Sequence, residues 1–198
     1  MDFRRRVELH ALWNASLGKE GEQLKLVEGE LQEVDLAGID LSGSDLPGTL
    51  FDGARLERTD FSTCNLASCS FRGADLQDAL FIKANADYAI FADARLVSAK
   101  AFRASFVEAD LRAADMQQMD LRSSSLARAN LTAAVLRGAD FEGATLSGAY
   151  LAGADLRGAK NIETVTFDVI VVGPEGSDYL EGAAARHWLA GAAADGHG

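Results

Sequence analysis

This chain of 198 residues contains only two cysteines, two prolines, three histidines and two tryptophans. Nor does it hold an apolar run approaching the roughly 20 residues that span a bilayer. Two cysteines cannot build a disulfide scaffold, which fits a reducing compartment. The histidines, His10, His187 and His197, are scattered between the two ends, and His10 and His187 read as parts of terminal structure. Residues 1–13 offer no apolar stretch ahead of a small-residue cleavage site, so no secretory signal is expected and the cytoplasm is the expected compartment. Positive charge is also scarce: 19 Lys and Arg against 30 Asp and Glu leave a net charge of −11. Direct nucleic-acid binding is therefore disfavoured, since neutralising phosphates takes clustered Lys and Arg. A basic protein partner is the better match.

What the chain has in abundance is repetition. Stepping by five from Leu31 to Leu156 visits 26 positions, of which 16 are Leu, seven Phe, one Met and two Ala, namely Ala86 and Ala101. Internal repetition on this scale outranks every other sequence signal. Two places before each central residue stands a small one, which is Ala at 16 of the 26, with Cys64 and Cys69 as near-isosteric substitutes. Period-two alternation turns both positions inward and the residue between them outward, where Asp or Asn dominates. The two remaining residues form a corner, and Gly ends it ten times from Gly38 to Gly158, as suits a turn that needs positive φ. A helix is excluded, because a five-residue step advances about 500° and would spread the leucines around the whole cylinder. A three-residue strand and a two-residue corner, repeated, wind into a coil lined by the Leu/Phe and Ala columns. Leu76, Phe81, Ala86, Phe91, Leu96, Ala101 and Phe106 form the middle of that lining. Ala86 and Ala101 should leave it thin unless the wall pinches or Phe102 turns in.

Units such as Ala-Asp-Leu-Arg-Gly at 154–158 and Ala-Asp-Phe-Glu-Gly at 139–143 resemble the A(D/N)LXX signature of the pentapeptide-repeat family. The resemblance covers about two thirds of the chain. It implies an all-β solenoid, a right-handed quadrilateral β-helix with four pentads per coil, to which the terminal sequences are expected to add short α-helical caps at both ends. On that basis the pentads make about 6.5 coils and a rod roughly 31 Å long.

A solenoid exposes its core at both ends unless it is capped. The expected organisation is an N-terminal helical cap over 1–28, the β-helix over 29–163, and a C-terminal strand, helix and disordered tail over 164–198. Leu9, Leu12, Trp13 and Leu17 supply a helical stripe at one end, and Leu180, Ala184 and Trp188 one at the other. Val169–Val172 reads as a short closing strand, followed by a loop at 173–176 and a tail that is disordered after Gly191.

No site for chemistry emerges. Cys64 and Cys69 lack two further ligands for a metal pair. The aspartates repeat at convex positions without a concave pocket to tune them, and the ten corner glycines belong to the five-residue pattern rather than to a phosphate loop. The expectation is a protein that is not an enzyme, with no catalytic residue, no cofactor and no metal.

Several members of the family that this chain resembles bind DNA gyrase or topoisomerase IV in place of DNA and protect against topoisomerase-poisoning antibiotics such as quinolones. With no insertion from 31 to 156, the chain is similar to the loopless type. The resemblance implies a topoisomerase partner, and a possible homodimer through the C-terminal end. The carboxylates on the least self-neutralised faces would carry such binding: Asp45, Asp52, Asp87, Asp93, Glu108 and Asp110. The charge is unevenly placed, since residues 31–160 carry 18 acids against 13 bases and the following 38 residues six against one. An interaction scaffold with another partner is the alternative. A second candidate surface breaks the acidic pattern: Leu80, Ile82 and Lys83 lie 20 residues below Lys100, Phe102 and Arg103, so three apolar side chains sit beside three cations.

Overall fold

The computed structural model describes residues 3–173 and 178–194. Each outward position pairs in parallel with the one 20 residues on, from Lys25↔Asp45 to Asp140↔Lys160. Four pentads therefore make one coil, and the coil has four sides. The ladder begins at Lys25, ahead of the first repeat legible in the sequence. At the other end a one-residue insertion at Asn161 shifts the last rung to Thr145↔Thr166.

The corners obey one rule. The last residue of every pentad from Glu28 to Gly158 has positive φ, while the residue before it does not, which is the signature of a type II turn. Glycine is not needed to reach this conformation: Arg58, Tyr88, Glu108 and Ala133 adopt it with φ of 60°, 61°, 56° and 58°. A left-handed non-glycine residue costs roughly 1–2 kcal/mol. The hydrogen bonds around the corner offset it. Arg58 N–H donates to the Gln77 carbonyl of the next coil at 2.9 Å, and Thr59 N–H closes the turn onto the Leu56 carbonyl at 3.1 Å.

Counting donors in one pentad explains the Asp or Asn. In 74–78, Ala74 N–H closes the preceding turn onto Phe71, while Asp75, Leu76 and Asp78 donate to Ala54, Arg95 and Val97 of the neighbouring coils. Gln77 N–H is left over, and it donates to Asp75 Oδ1 at 3.1 Å. The same bond recurs on Asp35, Asp40, Asp60, Asn65, Asn85, Asp110, Asp115, Asp120, Asn130, Asp140 and Asp155. The outward carboxylate is thus a local acceptor for the one backbone donor that the coil cannot use. Where Ser70 and Ser105 replace it, the coil below supplies the oxygen instead. Asp52 accepts Arg72 N–H and Asp87 accepts Val107 N–H, each at 3.0 Å, and each also accepts from the serine hydroxyl. Pro47 occupies the position whose N–H would need such an acceptor, and a proline has none to offer. Its pentad's Asp45 is free to accept from Asn65 Nδ2 at 2.8 Å.

Inside, the central and small columns are buried from Leu41 to Leu151, and Leu76, Phe81, Ala86, Phe91, Leu96, Ala101 and Phe106 are fully enclosed. Phe51, Phe71 and Phe91 stack along one wall with ring centroids 4.9 and 4.8 Å apart, and Phe61 stacks on Phe81 along the opposite wall at 5.4 Å. The two walls meet edge to face, as in Phe61 against Phe71 at 5.8 Å. Phe102 does not turn in to compensate for the small residue beside it, as the sequence reading allowed; it remains half-buried on the outside. Phe106 belongs to the same coil as Ala101, and its ring approaches Phe81 at 6.2 Å and Phe91 at 5.8 Å. The phenyl missing above Phe81 is supplied from the adjoining wall, in the column where Ala86 leaves room.

Small polar groups in the inward columns satisfy themselves against the coil below. Thr49, Thr59, Cys64 and Cys69 donate to the carbonyls of Leu26, Leu36, Leu41 and Leu46 at 2.8–3.0 Å. Burial pushes both thiols up to about 12, so they stay protonated and unreactive.

Helix α1 (Phe3–Ala15) lies against the first coil. The face it buries matches the stripe read from the sequence only in part: Leu9 and Trp13 are half-buried, but Leu12 and, beyond the helix, Leu17 are exposed, whereas His10 is fully buried, with Phe3 and Val7 partly so. His10 Nδ1 accepts from Leu24 N–H at 3.1 Å, so Nε2 carries the proton and donates to the Ser42 carbonyl at 3.0 Å. Trp13 stacks on His10 at 5.6 Å. Gly21 lets the chain turn back under the helix, because a Cβ there would stand 2.1 Å from the Leu9 carbonyl.

At the other end, β1 (Ala149–Tyr150) pairs in parallel with β2 (Val169–Val171), which pairs antiparallel with β3 (Tyr179–Glu181). Residues 179–181, including Leu180, are strand rather than the start of a helix. Helix α2 (Gly182–Ala194) therefore buries Ala185 and Leu189 and leaves Ala184 exposed, one position off the expected stripe. Gly158 N–H donates to the Ala193 carbonyl at 2.8 Å, so the helix continues past Gly191, where a disordered tail was expected. Residues 174–177 and 195–198, which hold most of the expected loop and the rest of that tail, lie outside the described residues.

Candidate interaction faces

The register sorts the outer side chains into four faces, named by their central residues. The first runs through Phe61, Phe81, Ala101 and Leu121; the second through Leu46, Leu66, Ala86 and Phe106; the third through Phe51, Phe71, Phe91 and Leu111; the fourth through Leu56, Leu76, Leu96 and Met116.

The six carboxylates singled out in the sequence fall on two adjoining faces. Asp45, Asp87 and Glu108 lie on the second, and Asp52, Asp93 and Asp110 on the third. Two of them are neutralised within the rod. Glu108 pairs with Arg128 at 3.3 Å, and Asp110 is chelated by Arg112 at 2.7 and 2.6 Å, which holds its carboxyl below the usual range. Asp45, Asp52, Asp87 and Asp93 have no cation within ion-pair distance among the described residues. Of these, Asp52 and Asp87 also hold the backbone donors described above, a duty that sequence alone did not reveal. The signal was available in Ser70 and Ser105, which interrupt the Asp/Asn column where these two residues step in.

The fourth face carries a charge ladder. Arg55 reaches down to Asp35 at 2.9 Å and Arg95 to Asp75 at 3.2 Å, and Arg157 and Arg137 both engage Asp155, whose carboxyl they hold well below its usual value. The arginines of these pairs are exposed and Asp155 is half-buried; an exposed pair such as Arg55–Asp35 is worth about 0–1 kcal/mol.

The first face is different in kind. Its outward column runs Asp40, Asp60, Leu80, Lys100, Asp120, Asp140, so the carboxylates vanish for two coils in mid-rod. Leu80, Ile82 and Phe102 are half-buried there, and Lys83, Lys100 and Arg103 are exposed. The Arg103 and Arg122 guanidinium carbons lie 5.1 and 5.8 Å from the Phe102 ring centre. Arg122, which the sequence reading did not include, is itself bound to Asp120. Lys83, Lys100 and Arg103 form no ion pair among the described residues.

These features define a class: a solenoid of strand-and-corner units whose distinguishing chemistry lies on its convex outer faces. The family model for pentapeptide repeats matches residues 30–66, 64–100, 89–126, 104–142 and 124–160, and the chain belongs to that family. Membership implies the right-handed, four-sided winding. Among solved structures, a trypsin-treated form of QnrB1, a plasmid-mediated fluoroquinolone resistance protein, is 18% identical, with 74% of this chain and 87% of that one covered and a TM-score of 0.46. HetL, a pentapeptide repeat protein involved in heterocyst differentiation regulation in the cyanobacterium Nostoc sp. strain PCC 7120, is 26% identical, with coverages of 84% and 97% and a TM-score of 0.31. A pentapeptide repeat protein of the Arabidopsis thaliana thylakoid lumen is 30% identical, with coverages of 65% and 67% and a TM-score of 0.34. No curated protein matches the chain by sequence. No helix among the described residues is long and apolar enough to cross a membrane.

Proposed function

We propose that this chain is a non-catalytic binding protein whose second and third faces occupy a basic protein surface in place of duplex DNA. The partner class in this reading is a type II topoisomerase, DNA gyrase or topoisomerase IV, and the consequence is protection from topoisomerase poisons. The observation that carries it is the set of four carboxylates, Asp45, Asp52, Asp87 and Asp93, left without a cation on two adjoining faces. The protein acts in the cytoplasm, needs no cofactor, and divides into a cap over 1–28, the rod over 29–163 and a terminal unit over 164–198 through which a homodimer forms.

A supercoiling assay tests this. The wild-type protein should inhibit gyrase near stoichiometric concentration and relieve a quinolone, and Asp45→Lys with Asp93→Lys should weaken both effects at unchanged stability. Those two positions are chosen because neither holds a backbone N–H. A wild-type protein without effect, at concentrations well above that of the enzyme, overturns the reading. The second reading, a scaffold for another partner, is favoured by the number of rod carboxylates that Arg55, Arg95, Arg112, Arg122 and Arg157 already neutralise, and a monomer in solution would support it.

A further inference from the structure

The first face bears a surface of opposite character, apart from the two acidic faces. In four coils of this face the donor left over by the backbone, on Ser42, Ser62, Arg122 and Glu142, is taken by the carboxylate of Asp40, Asp60, Asp120 or Asp140. In the two coils between them the carboxylate is replaced by Leu80 and Lys100. The N–H groups of Ile82 and Phe102 consequently have no acceptor among the described residues. They occupy consecutive coils, whose register is set by Lys83 N–H donating to the Phe102 carbonyl at 3.0 Å. Around these two free donors stand three cations without an ion pair, Lys83, Lys100 and Arg103, and three apolar side chains, Leu80, Ile82 and Phe102. Several other rod cations are matched in place, as Arg95 is by Asp75 and Arg112 by Asp110, and those without an ion pair among the described residues, Arg58, Arg72 and Lys160, are not gathered on one two-coil patch.

We propose that this two-coil patch docks an acidic segment of a partner protein that also carries a bulky apolar side chain. The partner's carboxylates take the places that Asp60 and Asp120 fill in the neighbouring coils, accepting from Ile82 and Phe102 N–H and pairing with the three cations. Its apolar side chain lies on Leu80, Ile82 and the Phe102 ring. Charge complementarity selects a foreign acidic segment over a second copy, because a two-fold contact through this patch would set Lys83 against Arg103 and cation against cation.

The test uses the full chain and a fluorescein-labelled peptide, Asp-Glu-Phe-Asp-Glu-Leu-Asp, followed by anisotropy. Binding should weaken at least tenfold for the peptide with Asn and Gln in place of its acids, and likewise for Lys83→Glu with Arg103→Glu. Ile82→Ser with Phe102→Ser should weaken it several-fold. The most telling variant is Leu80→Asp with Lys100→Asp, which restores the rod's own acceptors: it should abolish binding while leaving the thermal midpoint unchanged or raised. Absence of binding at millimolar peptide overturns the proposal, as does equal binding of the amidated peptide. It is equally overturned if the peptide is ignored while oligo(dT) binds, or if the variants abolish only self-association.

Discussion

At the scale of single residues, the Asp/Asn column of the repeat does two jobs that sequence cannot separate. Every such carboxylate adds charge to the surface, and all but Asp45, whose pentad has Pro47 at the donor's place, also accept the backbone donor that neither the turn nor the ladder engages. Asp60 isolates the second job, because it accepts Ser62 N–H at 2.8 Å and takes part in no ion pair among the described residues. Asp60→Ala should cost about 0.5–1.5 kcal/mol, the net value of one hydrogen bond, whereas Asp60→Asn should retain most of it. Thermal unfolding of the two variants decides the matter. Equal losses would mean that charge, rather than acceptance, is what the position contributes.

At the scale of elements, the rod was legible in the sequence and its two ends were not, for a physical reason. A period of five with inward Leu or Phe and inward Ala winds the chain into a coil, the family resemblance implied four pentads per turn, and stacking every 20 residues then places every outward residue. The corners escaped in part, since Gly38 or Gly73 announces positive φ while Arg58 and Tyr88 reach it unannounced. Terminal helices obey no repeat, so their buried faces had to be inferred from hydrophobicity alone. In α1 that inference held for Leu9 and Trp13, which are half-buried, and failed for Leu12, which faces solvent, because the fully buried group is polar: His10 is enclosed by hydrogen bonds to Leu24 N–H and the Ser42 carbonyl. The α2 stripe missed by one position because β3 delays the helix to Gly182. Of the candidate faces, the mid-rod apolar patch was visible as a break in the acidic column. The free N–H groups beneath it were not, because only the donor count of a whole coil reveals them. If His10 holds α1 on the first coil, His10→Ala strands the Leu24 N–H and should cost about 1–3 kcal/mol, the penalty of an unsatisfied buried donor. Trp13, stacked on His10, supplies the readout: its fluorescence should report release of α1 in His10→Ala and no change in Leu12→Ala. Identical behaviour of the two variants would remove His10 from that role.

At the scale of the whole molecule, stability is a sum over coils that touch only their neighbours, so a defect in one coil must be corrected in the same coil or the next. The aromatic stack shows such a correction. Phe61 and Phe81 rise along the first wall until Ala101 interrupts them, and Phe106 of the second wall then brings its ring within 6.2 Å of Phe81, above the space that Ala86 vacates. Sequence logic would call Ala101 a flaw and recommend Leu there, as at the equivalent Leu121 one coil on. The observed packing predicts the reverse, because the volume above Phe81 is already occupied and close-packed interiors do not absorb extra methylenes freely. Ala101→Leu should destabilise by about 1–3 kcal/mol through overpacking, and Phe106→Ala by about 3–5 kcal/mol through the cavity it opens. Ala101→Phe combined with Phe106→Ala returns the phenyl to the first wall at nearly constant volume, so the pair should cost less than the sum of its single changes by more than about 1 kcal/mol, as residues sharing one space do. Denaturant unfolding of Ala101→Phe, Phe106→Ala and the double variant measures that coupling. Strict additivity would mean that Phe106 and the site of Ala101 do not share a space, and that the coil tolerates its small residue by some other means.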